Sequence, residues 1–358
     1  MKKHFKGILI SLFLVSIFIL GMVSLESLFA TQTISDTKDN SLWIKYIDVG
    51  QGDATLIQCD GHYMLIDGGP ATASSAIYSI LKANKIDKID YMIATHPDAD
   101  HIGGLSGALN YAEVGKCLCP VTEYDSKTFR SLVKYLKNRK ASIEVPKVGV
   151  VYKLGSATVT ILGPIEVTDE TNNSSIVVKL DYGSNSFVFM GDAETEEEQQ
   201  ILQRWKNIEC DVLKIGHHGS GSSTSDKLIK SSKPRYAIIS VGKDNTYGHP
   251  MQSVLERLNK AKVEIYRTDL QGDIVVVSDG KNIAITTQKN EVPVMIPEDE
   301  SGQVNNETTY VLNTRSRKFH YPTCKSVSDM SAKNRQDVSL TRDEIMADGY
   351  EPCKRCNP

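Results

Sequence analysis

"THPDADHIGG", residues 95–104, places two histidines and two aspartates within six positions. Asp and His are ordinary turn residues, and Pro97 favours a turn by itself, so one histidine here would mean little. Four ligand-type side chains at i, i+2, i+4 and i+5 (His96, Asp98, Asp100, His101) are a different matter, because a tight loop can turn all of them toward a pair of cations. The stretch completes "IDYMIAT" (89–95), a short buried strand that delivers it to a loop, and residues 105–112 beyond its glycines start a helix.

The same arrangement recurs outward from it. "LWIKYIDV" and "ATLIQC" read as strands around the turn "GQGD", and "HYMLIDGG" follows as a third, with residues 73–84 helical. "KTFRSLVKYLKNRK" is an amphipathic helix with Phe129, Leu132, Val133 and Leu136 on one face. "ATVTILGP", "SIVVKLDYG" and "SFVFMGD" read as strands, and "ETEEEQQILQRW" as a helix whose acidic first turn suits the helix dipole. "CDVLKIGHHGS" is a strand running into a polar loop. A helix near 225–232, the strand "YAIISVG", the helix "SVLERLNKA" and the hairpin "DIVVVSDGKNIAITT" complete the run. Strands in two batches, each with helices, predict an α/β architecture of two sheets packed face to face with helices outside, the first half ending near 155 and the second near 287.

Nearly every apolar strand ends in a polar residue able to ligate or hydrogen-bond: Asp48 and the Asp53 turn, Asp67, the opening motif, Asp192, His217 with His218, and His249. Loops at one rim of a sheet scaffold are where sites are built. Two divalent ions about 3.5–4 Å apart need some six ligands and a bridging carboxylate. His96 and Asp98 suit the first ion, Asp100 and His101 the second, Asp192 the bridge, and a histidine from a later strand end the remaining place. A hydroxide generated between the ions would be the nucleophile. Asp100, His217 and His218 are the candidate catalytic groups, either histidine being able to protonate a leaving alkoxide. Asp67 reads as a buried carboxylate that orients ligands. The plainer alternatives are a Gly-Asp turn for Asp192, a merely supporting role for one of the paired histidines, and a helix N-terminus for His249.

Taken together, "YIDVGQGDATLI", "MLIDGG", "THPDADHIGG", "NNSSIVVKL", "FMGDAE", "DVLKIGHHGS" and "YGHP" make residues 41–287 resemble the metallo-β-lactamase superfamily, and more narrowly the hydrolase domain of the ComEC-type DNA-uptake proteins. The resemblance implies a four-layer αβ/βα sandwich with metal at one rim. It implies His96, Asp98, Asp100, His101 and Asp192 as ligands, His218 or His249 as the distal histidine, and Asp53, Asp67 and Asn173 behind them. Two departures matter. The His-x-His-x-Asp-His signature has Asp98 at its second histidine, and Asn172-Asn173-Ser174 stands where the superfamily often has a further histidine ahead of the Gly-Asp strand. Carboxylate ligands favour Mn²⁺ or Mg²⁺, with Zn²⁺ the alternative, and an oxygen-richer site argues against β-lactam hydrolysis and for phosphodiesters.

The two ends carry separate signals. Lys2, Lys3 and Lys6 precede an uncharged apolar run from Ile8 to Leu25, so residues 1–30 read as a signal peptide or membrane anchor, and the protein as exported or held on the outer face of the plasma membrane. As this is the one long apolar run, the expectation is a free-standing hydrolase and not a transporter. Residues 288–307, with Pro293, Pro297 and Glu298–Glu300, read as a linker. In 308–358, His320-x3-Cys324 and Cys353-x2-Cys356 have the spacing of a tetrahedral structural zinc site, which so short a unit needs. Seven cysteines, an odd number, fit a disulfide framework badly. This segment resembles the zinc-binding domain of the Ada DNA-repair protein, with His320 in place of a cysteine. Nine Lys and Arg against six Asp and Glu make it locally basic, so Arg315, Arg317 and Lys318 beside Phe319 and Tyr321 would meet phosphates and bases, unless they are only a solvated face. The net charge of −3 gives no global field toward nucleic acid or membrane.

The expectation is an exported nuclease or phosphodiesterase that cleaves DNA with two divalent ions, Zn²⁺ or Mn²⁺, plus one structural Zn²⁺. The alternatives are the same chemistry on teichoic acid, a phosphorylcholine ester or a nucleotide, and a non-catalytic DNA- or wall-binding protein. No protein partner is inferable from the sequence.

Overall fold

The computed structural model describes residues 41–289, 309–322, 324–328, 330–340, 345–346, 348–353 and 356. The expected leader at 1–30 and nearly all of the expected linker lie outside the described residues. Among the described residues no helix is long and apolar enough to cross a membrane.

Fifteen strands form the two main sheets. β1 (Leu42–Tyr46), β2 (Thr55–Cys59), β3 (His62–Ile66), β4 (Lys88–Ile93), β5 (Glu113–Leu118) and β6 (Ile143–Glu144) lie side by side in that order. β7 (Val151–Leu154), β8 (Ala157–Gly163), β9 (Val177–Tyr182), β10 (Asn185–Phe189), β11 (Val212–Lys214), β12 (Tyr236–Ile239) and β13 (Glu264–Arg267) make the second sheet, also in sequence order. The final hairpin, β14 (Ile274–Ser278) and β15 (Ile283–Thr287), corrects the two-batch reading: it joins the first sheet, where β14 pairs antiparallel with β1, Ile44 opposite Val276. The second sheet also starts at Val151, a little before the expected division.

β3 to β6 are parallel, as are β10 to β13, so each step needs a crossover. The crossovers supply the outer helices α1 (Ser74–Ala83), α2 (Ala99–Ile102), α3 (Leu105–Tyr111) and α4 (Lys127–Asn138), then α5 (Thr195–Arg204), α6 (Asp226–Ser232) and α7 (Gln252–Lys260). In α4, Ser126 caps the N-terminus by accepting from the Phe129 amide, and Phe129, Leu132 and Leu136 are buried while Val133 is half-buried.

Between the sheets Ile44, Tyr46, Met64 and Ile93 meet Val159, Leu180, Phe187 and Phe189. The Tyr46 and Phe189 rings stack with centroids 6.1 Å apart. Each such side chain contributes about 1.5–3 kcal/mol by leaving water, and this layer holds the two rows of strand ends in fixed relation. On the far face of the second sheet Val188, Leu213, Ala237 and Ile239 bury Ile201, Leu228, Val254 and Leu258 of α5–α7. Helix, sheet, sheet and helix give the four-layer sandwich.

Tight contacts between loops shape the rim. Gly52, at φ +146°, lies where an added Cβ would stand 2.3 Å from the Asp100 carbonyl, and a Cβ on Gly104 would stand 1.9 Å from that of Gly68. Only glycine lets these three loops touch.

The C-terminal module is a four-stranded sheet in the order β18 (Arg335–Ser339), β16 (Thr309–Asn313), β17 (Lys318–His320), β19 (Glu351–Pro352). Its Tyr310, Leu312, Phe319 and Ile345 belong to the same buried cluster as the α5–α7 layer. Here the base-stacking reading is corrected. Phe319 and Tyr321 are buried, their rings 5.5 and 5.6 Å from that of Tyr310. A small module spends its aromatics on its own core. Arg317 lies over the Tyr350 ring at 4.1 Å, and Lys318 pairs with Glu351 at 3.2 Å.

Candidate metal centre

The opening motif sits at the end of β4, pinned from behind by Asp67 at the end of β3. The Asp67 carboxylate accepts from the Thr95 amide at 2.9 Å, from the Thr95 hydroxyl at 2.7 Å and from His101 Nδ1 at 2.8 Å. That last bond fixes the His101 tautomer and turns Nε2 outward to the rim. Burial pushes the Asp67 carboxyl up, against the opposing pull of His101 and Thr95. Asp98 precedes α2, and Asp100 and His101 lie within it.

Two groups of donors converge on Asp192, which follows β10. His101 Nε2 lies 3.2 Å and His218 Nε2 3.5 Å from Asp192 Oδ2, and His218 Nε2 is 3.4 Å from Asp100 Oδ2. On the other side His96 Nε2 lies 4.0 Å from Asp192 Oδ2 and 3.9 Å from Asp98 Oδ2. The imidazoles of His96, His101 and His218 are fully enclosed, whereas Asp98 and Asp100 are each 37% open to solvent. The donor atoms of His96, His101 and Asp192 lie within 4.8 Å of one another, as do those of Asp100, His101 and His218.

The polar atoms at the centre lack partners. Nε2 of His96, His101 and His218 and Oδ1 of Asp192 are buried and make no hydrogen bond. Leaving a buried polar atom unsatisfied costs about 1–3 kcal/mol. A cation accepting all of these lone pairs removes that cost, so the donor set fits divalent metal. The outer nitrogens are already engaged. His218 Nδ1 donates to the Ser240 carbonyl at 3.0 Å, and His96 Nδ1 lies 3.1 and 3.3 Å from the hydroxyls of Thr95 and Ser175. Ser175 also accepts from the Asp192 amide at 3.0 Å.

Charge at the centre is strongly polarised. Burial, with His101 beside it, depresses His96 to about 3. Burial works the same way on His218, but Asp192 and Asp53 outweigh it and lift that imidazole to about 10. Burial would raise Asp192, yet His101 and His218 hold it well below the usual carboxylate range. The field is therefore one that welcomes positive charge.

Asp53 sits behind His218. Its Oδ2 accepts from the buried Lys214 Nζ at 2.8 Å, its Oδ1 lies 3.5 Å from His218 Nδ1, and its amide donates to the Asp100 carbonyl at 3.2 Å. His217 is set apart from these enclosed donors, a quarter exposed. Its Nδ1 meets Glu194 Oε1 at 2.9 Å, and its Nε2 lies 3.8 Å from Asp192 Oδ2. Both His217 and His218 occupy left-handed backbone, at φ 46° and 52°. Such conformations cost free energy for a non-glycine residue, and the surrounding bonds hold them. His249 joins none of the donor groups: its ring lies edge-on to that of His217 at 5.5 Å.

Asn172 and Asn173 have a definite task. Asn173 Oδ1 accepts from the Glu194 amide at 3.1 Å, and Asn172 Nδ2 reaches Glu194 Oε1 at 3.4 Å. They brace the acid that braces His217. Glu194, Lys214, Thr95 and Ser175 were missed in the sequence reading. Lys214, a lone charge in the apolar "VLKI", and Glu194, two residues past Asp192, were the available signals.

In the C-terminal module His320, Cys324, Cys353 and Cys356 are all buried, with one donor atom each within 4.8 Å of the others. Among the described residues no disulfide links any cysteine. Three thiols and an imidazole so placed fit a small tetrahedral zinc site.

Residues 47–243 match the model of the metallo-beta-lactamase superfamily. The chain is 32% identical to ComE operon protein 3 of Bacillus subtilis over 308 residues, 76% of this chain and 40% of that protein. It is 33% identical to recombination protein 2 of Haemophilus influenzae over 235 residues, 64% of this chain and 28% of the other. Competence protein ComA of Neisseria gonorrhoeae is 26% identical over 237 residues, 65% and 32% of the two chains. The chain thus spans well under half the length of these relatives.

Proposed function

Since the chain belongs to the metallo-beta-lactamase superfamily, we propose that it is a metal-dependent phosphodiesterase that cleaves DNA outside the cytoplasmic membrane. The observation that carries this reading is the set of partnerless Nε2 atoms of His96, His101 and His218 converging on Asp192. His96, Asp98 and Asp192 would hold one ion; Asp100, His101, His218 and Asp192 the other. When bound, two such ions acidify a water and neutralise charge on a phosphodiester. Three aspartates among six ligands favour Mn²⁺ over Zn²⁺.

The chain's own groups would do the rest. His217, steadied by Glu194 at 2.9 Å, presents Nε2 at the open edge of the centre and would hand a proton to the leaving alkoxide. Asp67 and Ser240 keep the rings of His101 and His218 aimed. The likeness to ComEC-type proteins points to DNA, and the basic, apolar first thirty residues support action beyond the membrane.

One observation favours a second reading, a small extracellular phosphodiester or nucleotide. Arg317 and Lys318 are occupied by Tyr350 and Glu351, so the C-terminal module offers a long strand less than its composition suggests.

The test is to supply residues 31–358 with Mn²⁺ or Zn²⁺ and present plasmid, single-stranded DNA and bis-p-nitrophenyl phosphate, alongside Asp100→Ala. DNA and ester should both be cleaved, and the variant should lose one ion per chain and at least about a hundredfold in rate. Cleavage of the ester alone would move the conclusion to the second reading. Inert protein with both ions bound would defeat both.

A further inference from the structure

The loop between β12 and α7 carries Tyr247, which at 63% is the most exposed large hydrophobic side chain among the described residues. Its ring stacks on that of His249 at 5.7 Å and 25°. His249 in turn meets His217 edge-on at 5.5 Å, and His217 Nε2 reaches to 3.8 Å from Asp192. An unbroken file of rings therefore runs from the candidate metal centre to open solvent and ends in a tyrosine.

This loop is held in shape. Asn245 Oδ1 accepts from the amides of Tyr247 at 3.2 Å and His249 at 3.0 Å. Asn245 Nδ2 donates to the carbonyls of Gly242 at 3.0 Å and His249 at 2.6 Å. The Gly242 amide donates to Gln51 Oε1 at 3.1 Å, tying the loop to the turn that carries Asp53. An aromatic ring left this open loses the gain of burial, and here the backbone that carries it is held in shape, which is the preparation a stacking partner needs.

We propose that Tyr247 is the stacking platform for a nucleobase of the strand that carries the scissile phosphate. The inference rests on the phosphodiesterase reading and names its substrate class as nucleic acid in single-stranded form, since a base inside a duplex has both faces covered by its stacked neighbours. With the phosphate at the Asp192 centre, the strand runs past His217 and His249, whose rings step 5.5 and 5.7 Å toward Tyr247, and a base further along it lies on Tyr247. Stacking of one base on an aromatic side chain strengthens binding about tenfold and tolerates any base, so the platform confers preference for nucleotides over other phosphodiesters without reading sequence.

The experiment compares binding of a short oligothymidylate with that of an equally long strand of tetrahydrofuran abasic sites. Fluorescence anisotropy is read on the full chain with Ca²⁺ supplied to hold the strands uncleaved. Wild type should prefer the base-bearing strand about tenfold. Tyr247→Ala should bring the ratio close to one, and Tyr247→Trp should keep it. A wild-type ratio near one, or an unchanged ratio in Tyr247→Ala, overturns the proposal. A Tyr247-dependent preference in a protein that cleaves no phosphodiester with Mn²⁺ would sustain the platform and sink the hydrolase.

Discussion

Asp98 decides the donor balance at the rim. An imidazole there would give the first ion two nitrogens; the carboxylate gives it one nitrogen, from His96, and an oxygen that is partly open to water. Asn172 and Asn173, which stand where the superfamily often has a further histidine, face Glu194 instead. Asp98→His should therefore shift the preference from Mn²⁺ toward Zn²⁺ and lower Mn²⁺-supported cleavage about tenfold. Metal analysis after equilibration in equimolar Mn²⁺ and Zn²⁺ checks this, and an unchanged ratio would contradict the account of that position. At this scale the sequence was informative where ligands cluster within a few residues, as in the opening motif. It was silent where partners come from distant segments. Nothing in "GHHGS" tells which histidine turns inward: that depends on Ser240 and Asp53 receiving His218, and on Glu194 receiving His217.

Elements with long apolar or strongly periodic runs were legible: β1 to β4, β8 to β10 and the amphipathic α4 all lie where their patterns put them. Glu113–Leu118, Val151–Leu154 and Glu264–Arg267 were missed. They are short, and charged residues interrupt each one, so pairing to neighbours and not local preference makes them strands. α5 shows the same limit from the other side. Its acidic first turn suits the helix dipole, yet the dipole does not tell that Glu197 is buried and that its Oε1 accepts from the Ile165 amide at 2.9 Å. Burial raises that carboxyl to about 7. A raised carboxyl favours the protonated folded state, so its share of stability is complete below about pH 4.5 and is lost as pH rises through 7. Glu197→Gln should keep the acceptor and remove this loss, on the order of 2 kcal/mol between pH 5 and 8. Urea unfolding at the two pH values measures it, and equal slopes for wild type and variant would refute it.

Across the molecule, the C-terminal module and the α5–α7 layer bury one continuous set of side chains. Zinc at His320, Cys324, Cys353 and Cys356 would then stabilise more than the module. Cys353→Ser should lower the midpoint of thermal unfolding of the whole chain by several degrees and merge no less than before into one transition. Differential scanning calorimetry would show otherwise if the module melted alone and left the main transition in place.

The hairpin β14–β15 carries a consequence in time. Leu42 opens the first sheet, and its partner on one side is Ser278, close to the end of the sandwich. A ribosome delivers β1 long before β14, so throughout synthesis one flank of "LWIKY" has its amides and carbonyls unpaired. The sandwich closes only when nearly all of it has been made, which places its folding among slow, non-local reactions. Until that moment the nascent chain offers an apolar edge to any neighbouring strand.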